Sequence, residues 1–400
     1  MSVLEIAKKL NRDYNNDMLA IKADITPVYK KMPTGAFGFD YPLYGGLPYG
    51  RICTFAGKEH SGKTNAACVA LSAYQRTHPD KICVYVDAEH ALDIQFQARM
   101  TGLDPQKMIY VNPIRMTGEE ILDAILKFQQ QDDIGMIVLD SIPALQPADA
   151  IENDMTKDPG MRGTIAKSMH RFLKAMTGLV SSANNIFIMV NQVRISGKTH
   201  NGAPIYTEPG GSGPDFYSSV KVRFGTRTFI KGGKVDSSDG EGAEGYRLKF
   251  SITKHKTGPI ARGGGFMSFN YDKGFMWLED MIEIASKFDF IKKNGSYYTL
   301  INLKTNEPYL DKEGKVLKGY LKDLKAYIRE NTDFQKEYIA MLNDHILATS
   351  ETYGDILDAR EKAEIKQQED SVNGLKNGSV YIDEDGLVVD DIETLPDKGE

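Results

Sequence analysis

Gly57-Lys58-Glu59-His60-Ser61-Gly62-Lys63-Thr64 satisfies G-x-x-x-x-G-K-[ST] in full. The apolar run Ile52 to Ala56 in front of it reads as a buried strand, and Thr64 to Tyr74 behind it, rich in Ala, Val and Leu, reads as a helix. A strand, a glycine-bounded turn and a helix start make a phosphate cradle: the glycines let the backbone wrap closely, so successive N–H groups converge on phosphate oxygens at the positive end of the helix. Within it Lys63 brings a point charge to the β- and γ-phosphates, and Thr64 brings a hydroxyl to Mg²⁺. A chance glycine turn would lack the flanking strand and helix.

From this loop onward strands and helices alternate, the pattern of a mostly parallel sheet covered on both faces. Ile82 to Val86, Ile109 to Val111, Met136 to Leu139 and Ile186 to Val190 read as buried strands; Ile121, Ala124, Ile125 and Phe128, and then Met169, Phe172, Leu173, Met176, Leu179 and Val180, keep helical spacing. Ligands of such sheets sit beyond the carboxyl ends of the strands, where Glu89, Asp140 and Gln192 all fall. Residues 1–32 form an N-terminal amphipathic helix and linker suited to oligomerisation, 33–274 the core, and 275–352 a small α+β lobe, with Leu321 to Ile346 helical. Within the core Ser196 to Pro214 shows no apolar period and reads as a long functional loop, and Gly232 to Gly245 reads as a flexible hairpin connection. Residues 353–400 are charged and end in a disordered acidic tail.

Charge distribution matters more than its total. Residues 381–400 hold eight acids and one lysine, a net of −7 against −6 for the whole chain, so the first 380 residues carry a net of +1. An acidic pI therefore does not argue against a nucleic-acid-binding body. Cys53, Cys68 and Cys83 form no C-x-x-C pair and sit among apolar neighbours, which fits reduced thiols in a cytoplasmic protein. No apolar run approaches the roughly 18 residues needed to span a bilayer, so no membrane partner is expected.

Asp140, after four apolar residues, fits the acid that orients Mg²⁺ beside a phosphate loop, and Glu89, ending the adjacent strand, could polarise the water that attacks the γ-phosphate. Each could equally cap the following helix. The Gln192 amide both donates and accepts, so it could sense the γ-phosphate and pass its presence to the loop that follows. Three features point to nucleic acid: a loop at about 151–163 containing Met161 and Arg162, a second at 194–213 containing Arg194, Ile195, Lys198, Gly210, Gly211 and Ser212, and the stripe Lys167, Arg171 and Lys174. The stripe runs at i, i+4 and i+7 opposite an apolar face, so three cations could track a phosphate backbone, though such a stripe is more often a solvated face.

Taken in order, Gly57 to Thr64, Asp87-Ala88-Glu89-His90-Ala91-Leu92-Asp93, Val138-Leu139-Asp140-Ser141, Asn191-Gln192-Val193-Arg194, Gly210-Gly211 and Phe216-Tyr217-Ser218-Ser219-Val220 resemble the RecA-type strand-exchange recombinases over roughly residues 33–330. The resemblance implies a RecA-like P-loop ATPase core and a DNA-dependent ATPase that uses ATP and Mg²⁺. It further implies a helical filament of the chain on single-stranded DNA, paired with double-stranded DNA, with single-strand-binding and mediator proteins as further partners. By position it makes Glu89 the catalytic glutamate, Asp140 the Mg²⁺-associated aspartate and Gln192 the coupling glutamine. Asp93 and Phe96 fall at the adenine, and Lys254 and Lys256 match a lysine pair that reaches the neighbouring subunit's γ-phosphate. Gly211-Ser212-Gly213-Pro214 is closer to phage-encoded members, which suggests a bacterial or phage-infected cytoplasm. A ring-forming helicase of the same core, which usually supplies an arginine in trans, and a nucleotide-gated scaffold without enzymatic activity are the competing expectations.

Overall fold

The computed structural model describes residues 3–13, 30–148, 164–198, 204–236, 240–258, 263–302, 305–311, 313–344, 380–382 and 388–390. The chain divides into two compact units, Met1–Asn343 and Asp344–Glu400. In the second unit the described residues form a two-stranded antiparallel hairpin, Val380–Ile382 with Val388–Asp390.

The first unit begins with α1 (Val3–Asp13), an amphipathic helix whose Ile6 and Leu10 remain exposed. The phosphate loop joins β1 (Arg51–Gly57) to α2 (Lys63–Thr77). There follow β2 (Ile82–Asp87), α3 (Ile94–Thr101), β3 (Met108–Val111), α4 (Gly118–Gln129), β4 (Ile134–Asp140), α5 (Thr164–Ala183) and β5 (Ile186–Gln192). A hairpin of β6 (Arg194–Lys198) and β7 (Pro204–Thr207) comes next, then the short α6 (Gly213–Tyr217) and β8 (Val220–Phe224). The sheet closes with β9 (Thr228–Lys231), β10 (Lys234–Asp236), β11 (Gly245–His255) and β12 (Gly264–Asn270).

In space the strands lie in the order β10-β9-β11-β8-β1-β5-β4-β2-β3, with β12 on β11. From β8 to β3 every pairing is parallel, and the remainder is antiparallel. Parallel strands buried on both faces read as continuous apolar runs, which is why the sequence shows them so plainly. One face packs Cys53, Phe55, Tyr85, Met136 and Val138 against α2; the other packs Ile52, Val84, Val86, Ile137 and Leu139 against α4 and α5. α4 starts on a capping box in which the Thr117 side chain accepts from Glu120 N and Glu120 accepts from Thr117 N.

Beyond the sheet, α7 (Trp277–Lys287) packs on β12, and a three-stranded antiparallel sheet pairs Ile291–Asn294, Tyr297–Leu300 and Lys318–Tyr320. The single helix read from Leu321 to Ile346 is corrected: α8 (Leu321–Glu330) ends at Asn331, whose N–H and side-chain amide both donate to Tyr327 O, and a separate helix covers 332–344. Two further corrections concern loops. Ser196 to Pro214 contains most of the β6–β7 hairpin, and Gly232 to Gly245 contains β10, paired with β9.

Candidate nucleotide site and DNA-facing loops

The cradle is built by backbone that only glycine fits. Gly62 has φ +85°, and a Cβ there would lie 2.4 Å from Leu248 Cδ2; one on Gly57 would lie 2.6 Å from Ser61 Oγ. Lys58, Glu59 and His60 are exposed at the loop's crest, while Ser61 and Lys63 are buried. Lys63 Nζ donates to Lys58 O at 2.7 Å. Burial lowers the Lys63 pKa, against the nearby Asp140, Glu89 and Glu59 charges, and Arg227 lowers it further. Arg227, which motif reasoning missed, lies 4.7 Å over the Tyr246 ring, and Tyr246 OH accepts from Asn65 in the first turn of α2.

Thr64, Asp140, Glu89 and Gln192 come together at the carboxyl ends of β1, β2, β4 and β5. Thr64 Oγ1 donates to Asp140 Oδ2 at 2.7 Å, and Tyr85 OH donates to the same oxygen at 2.6 Å. Burial pushes the Asp140 pKa up to about 6 against those two hydrogen bonds. Glu89 Oε1 accepts from Ser141 Oγ and, at 3.3 Å, from Gln192 Nε2. Tyr85 carries no motif, and Ser141, though it follows Asp140 in one, has no role read from it, so only the fold reveals their contacts. Among the described residues no cluster of three or more His, Cys, Asp or Glu side chains could cage a metal. One hydroxyl and one carboxylate instead fit Mg²⁺, a hard cation that keeps waters and takes further oxygens from phosphates.

Asp93 is the N-cap of α3, accepting from Phe96 N at 2.9 Å, and the Phe96 ring is 37% exposed on the same turn. His90 Nδ1 bonds Asn112 Oδ1, and the three cysteines are free and buried, with the Cys53 and Cys83 thiols pushed up to about 12 by burial.

Met161 and Arg162 lie outside the described residues. Lys167, Arg171 and Lys174 are exposed on α5, opposite buried Met169, Phe172, Leu173 and Met176. Arg194 and Ile195 are exposed on β6, which also carries Lys198. The hairpin returns to the core at Glu208, which pairs with buried Lys221 at 3.0 Å, and at Pro209, whose carbonyl accepts from Asn191 Nδ2 at 3.0 Å. Gly210 (φ +95°) and Gly211 (φ +71°) then turn the chain past Ile142 and Ala166, and Ser212 precedes α6.

Lys254 and Lys256 lie elsewhere. Lys254 pairs with Lys221 on β8, which pairs with Thr54, three residues before Gly57, and β11 runs antiparallel, so both lysines sit toward the end of the sheet remote from the phosphate loop. Lys254 Nζ donates to Asp215 O and, at 3.2 Å, to Phe216 O; Lys256 Nζ donates to Phe216 O at 3.0 Å.

The RecA N-terminal domain family model matches residues 3–275. The chain belongs to the RecA family. It is 29% identical over 363 residues to Protein RecA of Wolinella succinogenes, covering 89% of this chain and 95% of that one. It is 30% identical over 315 residues to Protein RecA of Marinobacter nauticus (78% and 83% covered) and 31% over 302 residues to Protein RecA of Francisella tularensis subsp. novicida (75% and 76%). It is also similar to the crystal structure of the RadB recombinase, at 19% identity and a TM-score of 0.43, covering 61% of this chain and 98% of that chain. As a RecA-family member it is an ATP-dependent DNA recombinase and a DNA-dependent ATPase that uses Mg²⁺, and it associates with DNA and with itself.

Proposed function

We propose that this chain assembles as a helical filament on single-stranded DNA, binding ATP at the seam between subunits and releasing DNA on hydrolysis. The observation that carries the reading is one hydrogen bond: Gln192, two residues before the exposed hairpin, donates to Glu89 Oε1. The carboxylate that would take a proton from the attacking water and the root of the DNA loop thus share one amide. Thr64 and Asp140 would hold Mg²⁺, which when bound neutralises charge on the β- and γ-phosphates. Lys63 releases Lys58 O to meet the phosphates, and the exposed loop N–H groups orient them. Ser141 holds Glu89 toward the water, and Asp93 and Phe96 take the adenine edge and face.

Lys254 and Lys256, remote from their own cradle, would exchange the Asp215 and Phe216 carbonyls for the neighbour's γ-phosphate. Cations supplied in trans stabilise transition-state charge and tie hydrolysis to assembly. Arg194, Lys198, the Gly210–Gly211 turn and the Lys167, Arg171 and Lys174 stripe would line the DNA, with Met161 and Arg162 of the first loop. Single-strand-binding and mediator proteins would share that DNA in a bacterial or phage-infected cytoplasm. Among the described residues no helix is long and apolar enough to cross a membrane.

Gln192→Ala tests the coupling. ATP turnover without DNA is expected to persist within a fewfold while stimulation by single-stranded DNA is lost. Equal stimulation of variant and parent would refute the relay, and a parent ATPase indifferent to single-stranded DNA would refute the filament reading.

A further inference from the structure

β2 and β4 end side by side in parallel register, with Asp87 and Asp140 as direct partners and Tyr85 two residues down on the same face, beside Val138. Two carboxylates at such a pairing repel unless each is turned toward its own donors. Asp87 Oδ2 accepts from Tyr110 OH at 2.8 Å and from Leu92 N at 2.9 Å, which draws it toward β3. Asp140 Oδ2 accepts from Tyr85 OH at 2.6 Å and Thr64 Oγ1 at 2.7 Å, which draws it toward α2.

The Tyr85 ring is 0% exposed and packs in the core between the sheet and α2. Packing alone asks for a phenylalanine there, because a buried hydroxyl is costly unless it is bonded. The diagonal from residue 85 to residue 140 on one sheet face is a span that a tyrosine reaches and a serine or threonine does not. With two donors on Oδ2, the carboxylate is fixed in rotation.

We propose that Tyr85 is a positioning residue: its hydroxyl orients the Asp140 carboxylate for Mg²⁺, while Tyr110 holds Asp87 aside. This rests on the assignment of Thr64 and Asp140 to the metal. Tyr85 touches neither nucleotide nor metal and acts through Asp140 alone.

The test is a Mg²⁺ titration of fluorescent ATP-analogue binding by the full-length protein, for the parent, Tyr85→Phe, Asp140→Asn and the double variant. Tyr85→Phe keeps the ring and is expected to raise half-saturating Mg²⁺ about tenfold to a hundredfold, the weight of one hydrogen bond to a charged group. Nucleotide binding without Mg²⁺ and the melting temperature are expected to stay near the parent's, a split that a merely structural role would not produce. Asp140→Asn is expected to shift the titration further, and adding Tyr85→Phe to it to change nothing more. If Asp140→Asn shifts the titration and Tyr85→Phe does not, or if the two shifts add in the double variant, the positioning role is overturned. If neither single variant shifts it, the metal assignment falls and the proposal falls with it.

Discussion

Glu89 and Gln192 meet through one oxygen, so removing charge at that oxygen separates binding from chemistry. Glu89→Gln keeps an acceptor for Ser141 and Gln192 but loses the carboxylate proposed as the base. It is expected to bind ATP as the parent does and to turn it over about 10²–10⁴ times more slowly, the usual weight of a general base; single-turnover kinetics with a separate binding assay check it. Away from the site, Asp280 on α7 is fully buried, accepts from Ser268 N at 3.0 Å through Oδ2, and has no hydrogen-bond partner at Oδ1. Burial pushes its pKa up to about 7, against the Ser268 hydrogen bonds and Arg247. The folded chain therefore holds a proton that the unfolded chain releases near pH 4, and stability from this group falls as pH rises from about 4 to about 7. Asp280→Asn is expected to flatten that slope and to stabilise the protein at pH 8 by about 1–2 kcal/mol, read as a melting temperature a few degrees above the parent's. A parallel pH dependence of melting in both proteins would refute it.

At the scale of elements, the antiparallel run of β11 decides what Lys254 and Lys256 can reach. Lys254 stands level with Thr54, about 10 Å of strand short of Gly57. Lys254→Ala and Lys256→Ala are each expected to leave ATP binding by the dispersed protein unchanged and to lower DNA-stimulated turnover at least about 10²-fold, by analogy with cations donated in trans. Loss of nucleotide binding by the dispersed protein would place these lysines in their own site instead. β1, β2, β4 and β5 were legible because burial on both faces writes continuous apolar runs, and the phosphate loop because its glycines and lysine answer to backbone geometry and charge. The β6–β7 hairpin was not. Ile195 and Tyr206, a cross-strand pair in it, are 55% and 40% exposed, so no buried face imposes an alternating pattern. Tyr85 was hidden for the opposite reason: inside a run of apolar residues its hydroxyl carries no signal until the register puts Asp140 within reach.

At the scale of the whole molecule, charge is segregated: residues 381–400 carry −7 and the rest of the chain +1. A tethered polyanion competes with DNA for the cations that bind phosphate, and the competition acts through a field that salt screens over about 30 Å at 0.01 M and about 8 Å at 0.15 M. Deleting Tyr381 to Glu400 is therefore expected to tighten single-stranded DNA binding about threefold to tenfold at low ionic strength, with the gain shrinking toward none near 0.3 M salt. Replacing the eight acids by their amides at full length separates charge from bulk, since it keeps every residue's size. Fluorescence anisotropy of a labelled oligonucleotide across a salt series measures both variants. If the tail acts by its field, the amide variant follows the deletion at every salt concentration. If only the deletion tightens binding, the tail obstructs DNA by volume, and if neither does so at low salt, its charge never comes within a screening length of the bound DNA.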